Sequence, residues 1–289
     1  MKLGLNTWLW AYRFETRHLF CIEQAQELGA EVLDFCVADP FQFPTKEVAQ
    51  AMAHTNMDAV VTTAMSGRYN AISPDPAERT AALEFMKRLV DVAAELNAPL
   101  VGGVTYAASG YHTGHPRTEQ EIAWCTEYLC AACEYAAPYH VTIALEPVKR
   151  FETHFLNTAA QALDLITRVH MPNLKVHLDT FHMNIEESSI PNAVRLCGDK
   201  LAYLHLVENN RGTPGMGHIP WIELFATLKE LNFPGAGCIE TFNPETLDET
   251  APLTYLTRKF ADTPQELAEQ GLKYLKTIRT LVETTSTGF

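Results

Sequence analysis

The strongest constraint on the fold is an eightfold alternation of short apolar runs with longer amphipathic stretches. Eight runs rich in β-branched and other apolar residues predict strands, at 2–8, 31–37, 58–65, 99–106, 141–147, 173–180, 201–208 and 235–242. Stretches with the helical period of apolar residues lie between them, for example at 19–29, 76–97, 158–169 and 221–232. Strand–helix repetition to a count of eight predicts an α/β fold, a closed (β/α)8 or TIM barrel.

Length and composition favour one domain. A chain of 289 residues with 47% hydrophobic content can bury a large core, and this length fits one such barrel better than two average domains. The sequence contains no linker or low-complexity tract, so residues 1–289 are predicted to form a single TIM-barrel domain. An open doubly wound sheet is the alternative. It normally carries a Gly-rich phosphate loop after an early strand, and GLNTWLW at 4–10 is not such a loop.

Four residues of metal-ligand type each follow the apolar part of a predicted strand in the second half of the chain: Glu146, Asp179, His205 and Glu240. Their intervals of about 25 to 35 residues match one strand plus one crossover helix, so each belongs to the carboxyl end of a successive strand. In a barrel these ends meet at one mouth, where active sites of the fold are built. A single acidic residue there is more often a helix cap. Four on consecutive strands predict a divalent-cation site, best suited to Mn²⁺, with Co²⁺ or Mg²⁺ as alternatives and Zn²⁺ less favoured.

Other polar residues follow these strand ends within a short distance: Arg150, Glu152, His182, Asn209 and Arg211. We expect them to line the same pocket, where Arg211 would donate to hydroxyl or carbonyl oxygens and Glu152 and His182 would add polar contacts. A solvated loop charge is an equal alternative for Arg211 and Glu152. The sequence also predicts that His177 lies in the core or behind a ligand.

Charge and hydropathy argue against several partners. The formal net charge of −13 repels nucleic acid and anionic membranes. No run approaches the roughly 20 apolar residues of a membrane helix, and the N-terminal MKLGLNTWLWAYRFE lacks the features of a signal peptide. We therefore expect a cytoplasmic protein that binds a small molecule. The long segment from 243 to 263 is expected to cover the mouth or a neighbouring subunit.

Seven cysteines in such a chain do not indicate a disulfide framework. Cys130 and Cys133 match a C-x-x-C pattern, which can signal redox chemistry or half a zinc site. They lie inside a predicted helix without a second such pair, and their spacing places both on one helix face. Because cysteine is among the most buried residue types, packing is the preferred interpretation.

Several motifs resemble one family of enzymes. ALEPVKRFETHFLNT (144–158), HLDTFHMNIEE (177–187) and HLVENNRGTPGMGHIPW (205–221), followed by CIETF (238–242), resemble the ketose 3-epimerases, which include D-tagatose, D-psicose (allulose) and L-ribulose 3-epimerases. They belong to a broader superfamily of sugar isomerase and epimerase TIM barrels. The first half of the chain resembles this family more loosely, at ADPF (38–41) and at Gly102 and Gly103.

The resemblance assigns roles to residues already selected. It implies that Glu146, Asp179, His205 and Glu240 are the metal ligands, that Glu146 and Glu240 are also the catalytic acid/base pair, and that Glu152, His182 and Arg211 bind the carbonyl end of a ketose. It also implies a homodimer or homotetramer, and it implies no organic cofactor. The far wall of the pocket is expected among aromatic and loop residues: Trp8, Trp10, Met65, Tyr106 and Tyr111.

The expected reaction is epimerisation of a free ketose at C3, for example D-tagatose/D-sorbose, D-fructose/D-psicose or L-ribulose/L-xylulose. Proton removal at C3 would give a cis-enediolate, and inversion requires a second acid/base group on the opposite face. Rivals in the same superfamily are an aldose–ketose isomerase and a dehydratase acting on a sugar or inosose. A barrel endonuclease is disfavoured, because the predicted strands 1–4 lead to Trp8, Val37, Met65 and Tyr106, which are not ligands, and because the chain is acidic.

Overall fold

The computed structural model describes residues 1–242 and 261–285. Eight parallel strands pair in chain order and close into a barrel, with the first strand next to the eighth. The predicted (β/α)8 barrel is therefore confirmed. The strands are β1 Lys2–Asn6, β2 Val32–Cys36, β3 Asp58–Ala64, β4 Leu100–Val104, β5 Thr142–Leu145, β6 Leu174–Asp179, β7 Leu201–His205 and β8 Ala236–Ile239.

The helices of the described ranges lie outside this barrel. They are α1 Phe20–Glu27, α2 Thr45–Met52, α3 Pro76–Glu95, α4 Glu119–Ala136, α5 Ala159–Val169, α6 Thr180–Glu186, α7 Ile190–Cys197, α8 Trp221–Glu230 and α9 Pro264–Thr284. Short 3-10 helices occur at Thr7–Leu9, Thr16–His18, Ala137–Tyr139 and Gly198–Lys200. None of the described helices is both long and apolar enough to cross a membrane.

Local sequence explains where several of these helices begin. Thr118 caps α4 and Thr158 caps α5, and in both cases the side chain three residues later bonds back to the cap in a capping box. Asp179 ends β6 and also caps α6, because its Oδ1 accepts from the backbone N–H of Phe181 at 2.7 Å. The sequence analysis did not predict α6 and placed His182 in a loop. In the structure His182 lies on this helix.

Two apolar layers are separated by the strands. The larger layer packs the helices against the outside of the barrel. A small cluster fills the lower part of the interior: Val32, Val60, Leu100, Ala144, Tyr203 and Cys238. Because side chains alternate along a strand, the interior positions two residues further along carry the polar groups, including Asp34 above Val32 and Glu146 above Ala144. The carboxyl end of the interior is therefore polar.

The cysteines of α4 are packing residues. Cys133 is buried, Cys130 is partly buried, and both are free thiols. Desolvation by burial raises the pKa of Cys133 to about 12. The preferred interpretation of this C-x-x-C pattern is thus supported. The expected lid or subunit contact at 243–263 lies almost entirely outside the described residues.

Candidate active site at the barrel mouth

The four strand-end residues meet at the carboxyl end of the barrel. Glu146 directly follows β5 and Glu240 directly follows β8, whereas Asp179 and His205 are the last residues of β6 and β7. All four are at most 5% exposed. Their predicted positions at the tips of strands 5 to 8 agree with the structure.

Distances between their ligand atoms suit a cation. His205 Nδ1 lies 3.6 Å from Glu146 Oε1 and 3.3 Å from Glu240 Oε1. Potential ligand atoms lie within 4.8 Å of one another in three overlapping triads: Asp179–His205–Glu240, Glu146–Asp179–His182 and Glu146–His177–His205. Ligand–cation distances of about 2.0–2.6 Å allow such spacings around one ion. Each predicted ligand belongs to at least one triad, and His177 and His182 join them.

The contacts of His205 show whether these four residues can bind a cation. Its Nε2–H donates to Asp34 Oδ2 at 2.8 Å, so in the neutral ring Nδ1 carries the lone pair. This Nδ1 is buried and has no hydrogen-bond partner among the described residues, although it faces the carboxylates of Glu146 and Glu240. A lone pair and two carboxylates directed at one space repel each other unless a proton or a cation lies between them. These imidazole and carboxylate groups are therefore suited to bind a divalent cation.

Burial and neighbouring charges shift the pKa values of this cluster. Desolvation raises the pKa of Glu146, although His205 partly opposes this effect. Desolvation likewise raises the pKa of Asp179 to about 6, against the attraction of Arg211. For His205, desolvation is outweighed by the charge of Glu240 and the bond to Asp34, so its pKa is raised well above the usual value. A bound cation would stabilise the charged form of these buried carboxylates.

Arg211 is a buried pocket residue. Its Nη1 donates to Asp179 Oδ2 at 2.8 Å and also bonds to Glu240. The guanidinium lies 4.4 Å from the centre of the Phe181 ring, a cation–π distance. Its backbone is left-handed, with φ of 64°, which is uncommon outside glycine. The alternative of a solvated loop charge is wrong for Arg211.

His182 and Arg211 present two donors to the same part of the cavity. His182 Nδ1 accepts from the backbone N–H of Lys149 at 3.1 Å. Burial, with a smaller contribution from Arg211, keeps the pKa of His182 well below its usual value, so the ring is neutral and Nε2 carries the hydrogen. His182 Nε2 lies 3.0 Å from Arg211 Nη2. Both groups are donors, so an oxygen acceptor from a ligand would satisfy them better than they satisfy each other.

Glu152 also lines the cavity. Its Oε2 accepts from Ser109 Oγ at 3.0 Å, and its Oε1 bonds to Lys149. Burial alone would raise the pKa of Glu152, but the bond to Lys149 outweighs it and the pKa is lowered. The expected pocket position of Glu152 is therefore seen in the structure.

Arg150 and Asn209, which the sequence analysis placed in the pocket, do not reach this cavity. The Arg150 guanidinium pairs with Glu186 on α6 at 2.9 Å and is largely exposed. Asn209 accepts instead from the backbone N–H of His218 at 3.2 Å. Both residues fix the loops around the mouth, so the expectation that they line the pocket is wrong.

The walls of the cavity are partly aromatic. Its volume is about 170 Å³, well above the roughly 10–15 Å³ that one water needs. Trp8, as predicted, is part of the wall, together with aromatic side chains that the sequence did not select: Tyr12, Phe181 and Phe242. The other predicted wall residues, Trp10, Met65, Tyr106 and Tyr111, are not among the described lining residues. Trp10, Met65 and Tyr106 instead fill the core, where each is at most 6% exposed.

Asp34 is the site residue that sequence reasoning missed. It lies inside the barrel on β2, is 0% exposed and contacts His205 directly. The sequence carried a signal, since the run EVLDFCV (31–37) has this one acidic residue in its apolar centre. A charge in a buried strand requires a partner. Asp34 lies in the middle of its apolar run and not at the strand end, so the pattern of polar strand ends does not include it.

Comparison with known proteins identifies a matching family model, related sequences and a similar solved structure. Residues 22–278 match the family model described as xylose isomerase-like TIM barrel. The chain is 32% identical over 244 residues to a ketose 3-epimerase of Arthrobacter globiformis, and 34% identical over 249 residues to a D-psicose 3-epimerase of Ruminiclostridium cellulolyticum, with 84% of each chain covered in both cases. It also superimposes on a D-allulose 3-epimerase from Methylomonas sp. in complex with D-allulose. There the TM-score is 0.91 and the identity 28%, with 96% of both chains covered.

Proposed function

Because the chain belongs to the xylose isomerase-like TIM barrel family, and within it to the ketose 3-epimerases, we propose that it inverts C3 of free ketoses with a bound divalent cation, Mn²⁺ before Co²⁺ or Mg²⁺. The chain is an isomerase of the carbohydrate epimerase type. One observation carries the proposal: His205 Nδ1 is buried without a hydrogen-bond partner in the described structure, between the carboxylates of Glu146 and Glu240.

In the proposal Glu146, Asp179, His205 and Glu240 hold the ion. A bound ion would act as a Lewis acid and stabilise the negative charge that develops on the sugar when the C3 proton is removed. Arg211 and His182 donate to the carbonyl end of the sugar, and Glu152 contributes to the same end of the pocket. The two donors 3.0 Å apart at Arg211 Nη2 and His182 Nε2 support this assignment.

Glu146 and Glu240 are proposed to exchange the C3 proton from opposite faces of the sugar. One carboxylate removes the proton to give the cis-enediolate, and the other returns a proton on the other face. Their strands are three apart around the ring, and both carboxylates lie within 3.6 Å of the same nitrogen. This arrangement supports a ketose bound between them.

The test starts from protein stripped with chelator and reloaded with Mn²⁺. It is incubated in D₂O with D-fructose, D-psicose, D-tagatose or L-ribulose, and NMR follows the products and the deuterium. The proposal predicts the C3 epimer with deuterium at C3, only when metal is present. Aldose labelled at C2 would favour an aldose–ketose isomerase, and loss of water with a new enone absorbance would favour a dehydratase.

Two variants test whether Glu146 and Glu240 act on opposite faces of the sugar. Glu146→Gln and Glu240→Gln should each abolish epimerisation, because only one exchanging carboxylate remains. Each should retain deuterium exchange at C3 of one epimer but not of the other, and the favoured epimer should differ between the variants. Metal content is measured in parallel to detect loss of the ion. The exposed Glu223→Gln on α8 is the matched control. Full epimerase activity in either site variant with metal bound would refute the pairing.

A further inference from the structure

We propose that Asp34 is the positioning residue of the cation site. Its carboxylate holds the His205 ring through Nε2–H, so that Nδ1 points into the space between Glu146 and Glu240. The inference rests on the proposed function only in assuming that a cation binds at His205. Among the described residues Asp34 is not part of the cavity wall, so it acts through His205 and not on the sugar.

The hydrogen bonds of Asp34 leave little freedom to its carboxylate. Oδ2 accepts from Asn6 Nδ2 at 2.9 Å, from the Tyr203 hydroxyl at 2.9 Å and from His205 Nε2 at 2.8 Å, and Oδ1 accepts from Thr62 Oγ1 at 2.7 Å. These donors come from β1, β7 and β3, so the carboxylate is fixed by three other strands of the barrel.

The orientation of the Asn6 side chain is also determined. Asn6 Oδ1 accepts from the backbone N–H of Trp8 at 2.8 Å, which turns Nδ2 toward Asp34. The Tyr203 hydroxyl lies 2.9 Å from Asp34 Oδ2 and donates its hydrogen to this oxygen. Every partner therefore donates to Asp34, and its carboxylate oxygens act only as acceptors.

A structural role alone does not account for such a group. A buried carboxylate carries a large desolvation cost, and apolar side chains of similar size often replace buried charges without loss of stability. The interior layer directly below already uses Val32 and Val60. A carboxylate behind a metal-binding histidine orients the ring and makes its free nitrogen a better ligand, and loss of such a partner typically weakens metal binding 10- to 100-fold.

The decisive experiment compares Asp34→Asn with Tyr203→Phe. Both substitutions remove a hydrogen-bonding group from the same buried network, but only the first changes the partner of His205. Titration of chelator-stripped protein with Mn²⁺ gives the dissociation constant. We expect Asp34→Asn to bind Mn²⁺ about 10- to 100-fold more weakly than the wild type, whereas Tyr203→Phe should change the constant only a few-fold. Asp34→Glu, which keeps the charge, should lie between Asp34→Asn and the wild type.

Two further measurements separate positioning from folding. Urea unfolding of the metal-free proteins reports whether the variants are folded and how stable they are. In Mg²⁺-loaded, ¹⁵N-histidine-labelled protein, the Nε2–H of His205 should give a slowly exchanging, downfield proton signal in the wild type and in Tyr203→Phe. This signal should move upfield in Asp34→Asn, and a positioning role requires that shift.

The outcomes also distinguish this proposal from the proposed function. Wild-type protein that binds no divalent cation would count against the cation chemistry itself. Wild-type protein that binds Mn²⁺ and epimerises, together with a folded Asp34→Asn that binds Mn²⁺ equally tightly, would overturn only the role of Asp34. Equal weakening in Asp34→Asn and Tyr203→Phe would reduce Asp34 to a structural residue. If Asp34→Asn does not fold, the same comparison is made with Asp34→Glu.

Discussion

His177 is a buried imidazole without a hydrogen-bond partner for either nitrogen among the described residues. It lies on β6 with 0% exposure, edge-on to the His205 ring at 4.2 Å between centroids. The absence of a side chain at Gly102 makes room for it, because a Cβ there would lie 3.1 Å from His177 Nδ1. The carboxylate oxygen Oε2 of Glu146 is 3.8 Å from the same nitrogen, beyond hydrogen-bond range. The expectation of a core residue or one behind a ligand agrees with this position.

The buried imidazole of His177 is expected to lower the free energy of unfolding. Burial keeps the pKa of His177 well below its usual value, so the folded protein does not protonate it. The unfolded chain takes up a proton near pH 6.5. Below that pH the unfolded state binds more protons, so stability falls with decreasing pH, by up to about 1.4 kcal/mol per pH unit from this one residue.

We predict that His177→Leu stabilises the metal-free protein at pH 7.5 by about 1 kcal/mol, since an unsatisfied buried polar group is replaced by an apolar one. The gain should be larger at pH 5.5, because the variant no longer has this protonation site. Urea unfolding at both pH values measures the difference from the wild type. His115→Leu, in an exposed loop, is the control and should change neither value. A variant less stable than the wild type at pH 7.5 would mean that His177 has a partner in solution.

At the scale of elements, the loop between β7 and α8 is organised around Glu208. This carboxylate is 0% exposed and accepts from the backbone N–H of Gly215 at 2.7 Å, from that of Ile219 at 3.3 Å and from Trp221 Nε1 at 2.7 Å. The same loop carries Arg211 in its left-handed conformation. The sequence indicated Glu208 only as part of a motif.

We predict that Glu208→Gln lowers the free energy of unfolding by about 1–3 kcal/mol, because an amide cannot accept from all of these donors and leaves some of them buried and unpaired. Displacement of Arg211 should also raise KM for the ketose more than it lowers kcat. Unfolding curves and steady-state kinetics give both values, with Glu223→Gln on α8 as the control. Unchanged stability would show that the loop does not depend on this carboxylate.

The thiols of α4 allow a test of the packing interpretation. Burial raises the pKa of Cys125 as well as that of Cys133, and both side chains are fully buried. Only the thiolate reacts quickly with disulfide reagents. We predict that in native protein at pH 8 Cys130, the partly buried member, reacts before Cys125 and Cys133. Mass spectrometry of the labelled protein identifies the sites, and fully unfolded protein is the control. Rapid labelling of Cys133 in the native state would contradict its burial.

At the scale of the whole molecule, three exposed apolar side chains form a patch that consists of one residue of α6 and one residue on each of two loops bonded to this helix. Phe151 is 70% exposed, Met216 75% and Ile185 37%. Arg150 ties the loop of Phe151 to Glu186 on α6, and His218 ties the loop of Met216 to Asn184 on the same helix. The apolar residues of α4, by contrast, are largely buried within the chain. We therefore expect any contact between copies of this chain to form at this patch.

We predict that the protein is a homodimer or homotetramer in solution and that this patch is part of the contact, because exposed apolar patches mark association surfaces. The double variant Phe151→Ser and Met216→Ser should shift the mass measured by light scattering toward the monomer. Leu281→Ser, an exposed apolar residue on α9, is the control. A wild-type mass equal to that of one chain would contradict the prediction.

The sequence by itself determined the fold class and the main ligand candidates. A period of one strand and one helix repeated eight times admits few packings that bury every apolar face, and parallel closure brings the ends of successive strands to one mouth. The positions of Glu146, Asp179, His205 and Glu240 were therefore predictable from their place in this repeat. The predicted runs extended a few residues past the real strands, because apolar residues continue into the mouth after strand pairing has ended.

Only the tertiary structure decided which groups face each other across the barrel. Asp34 and His205 are far apart in sequence but bond at 2.8 Å, and no local pattern records such a pairing. The direction of a loop side chain also depends on residues far away in the sequence. Arg211 therefore lies in the pocket, whereas Arg150 points outward and pairs with Glu186. Repeating patterns specify elements and their ends. Contacts between side chains from different strands depend on the closed barrel, since only closure brings those strands together.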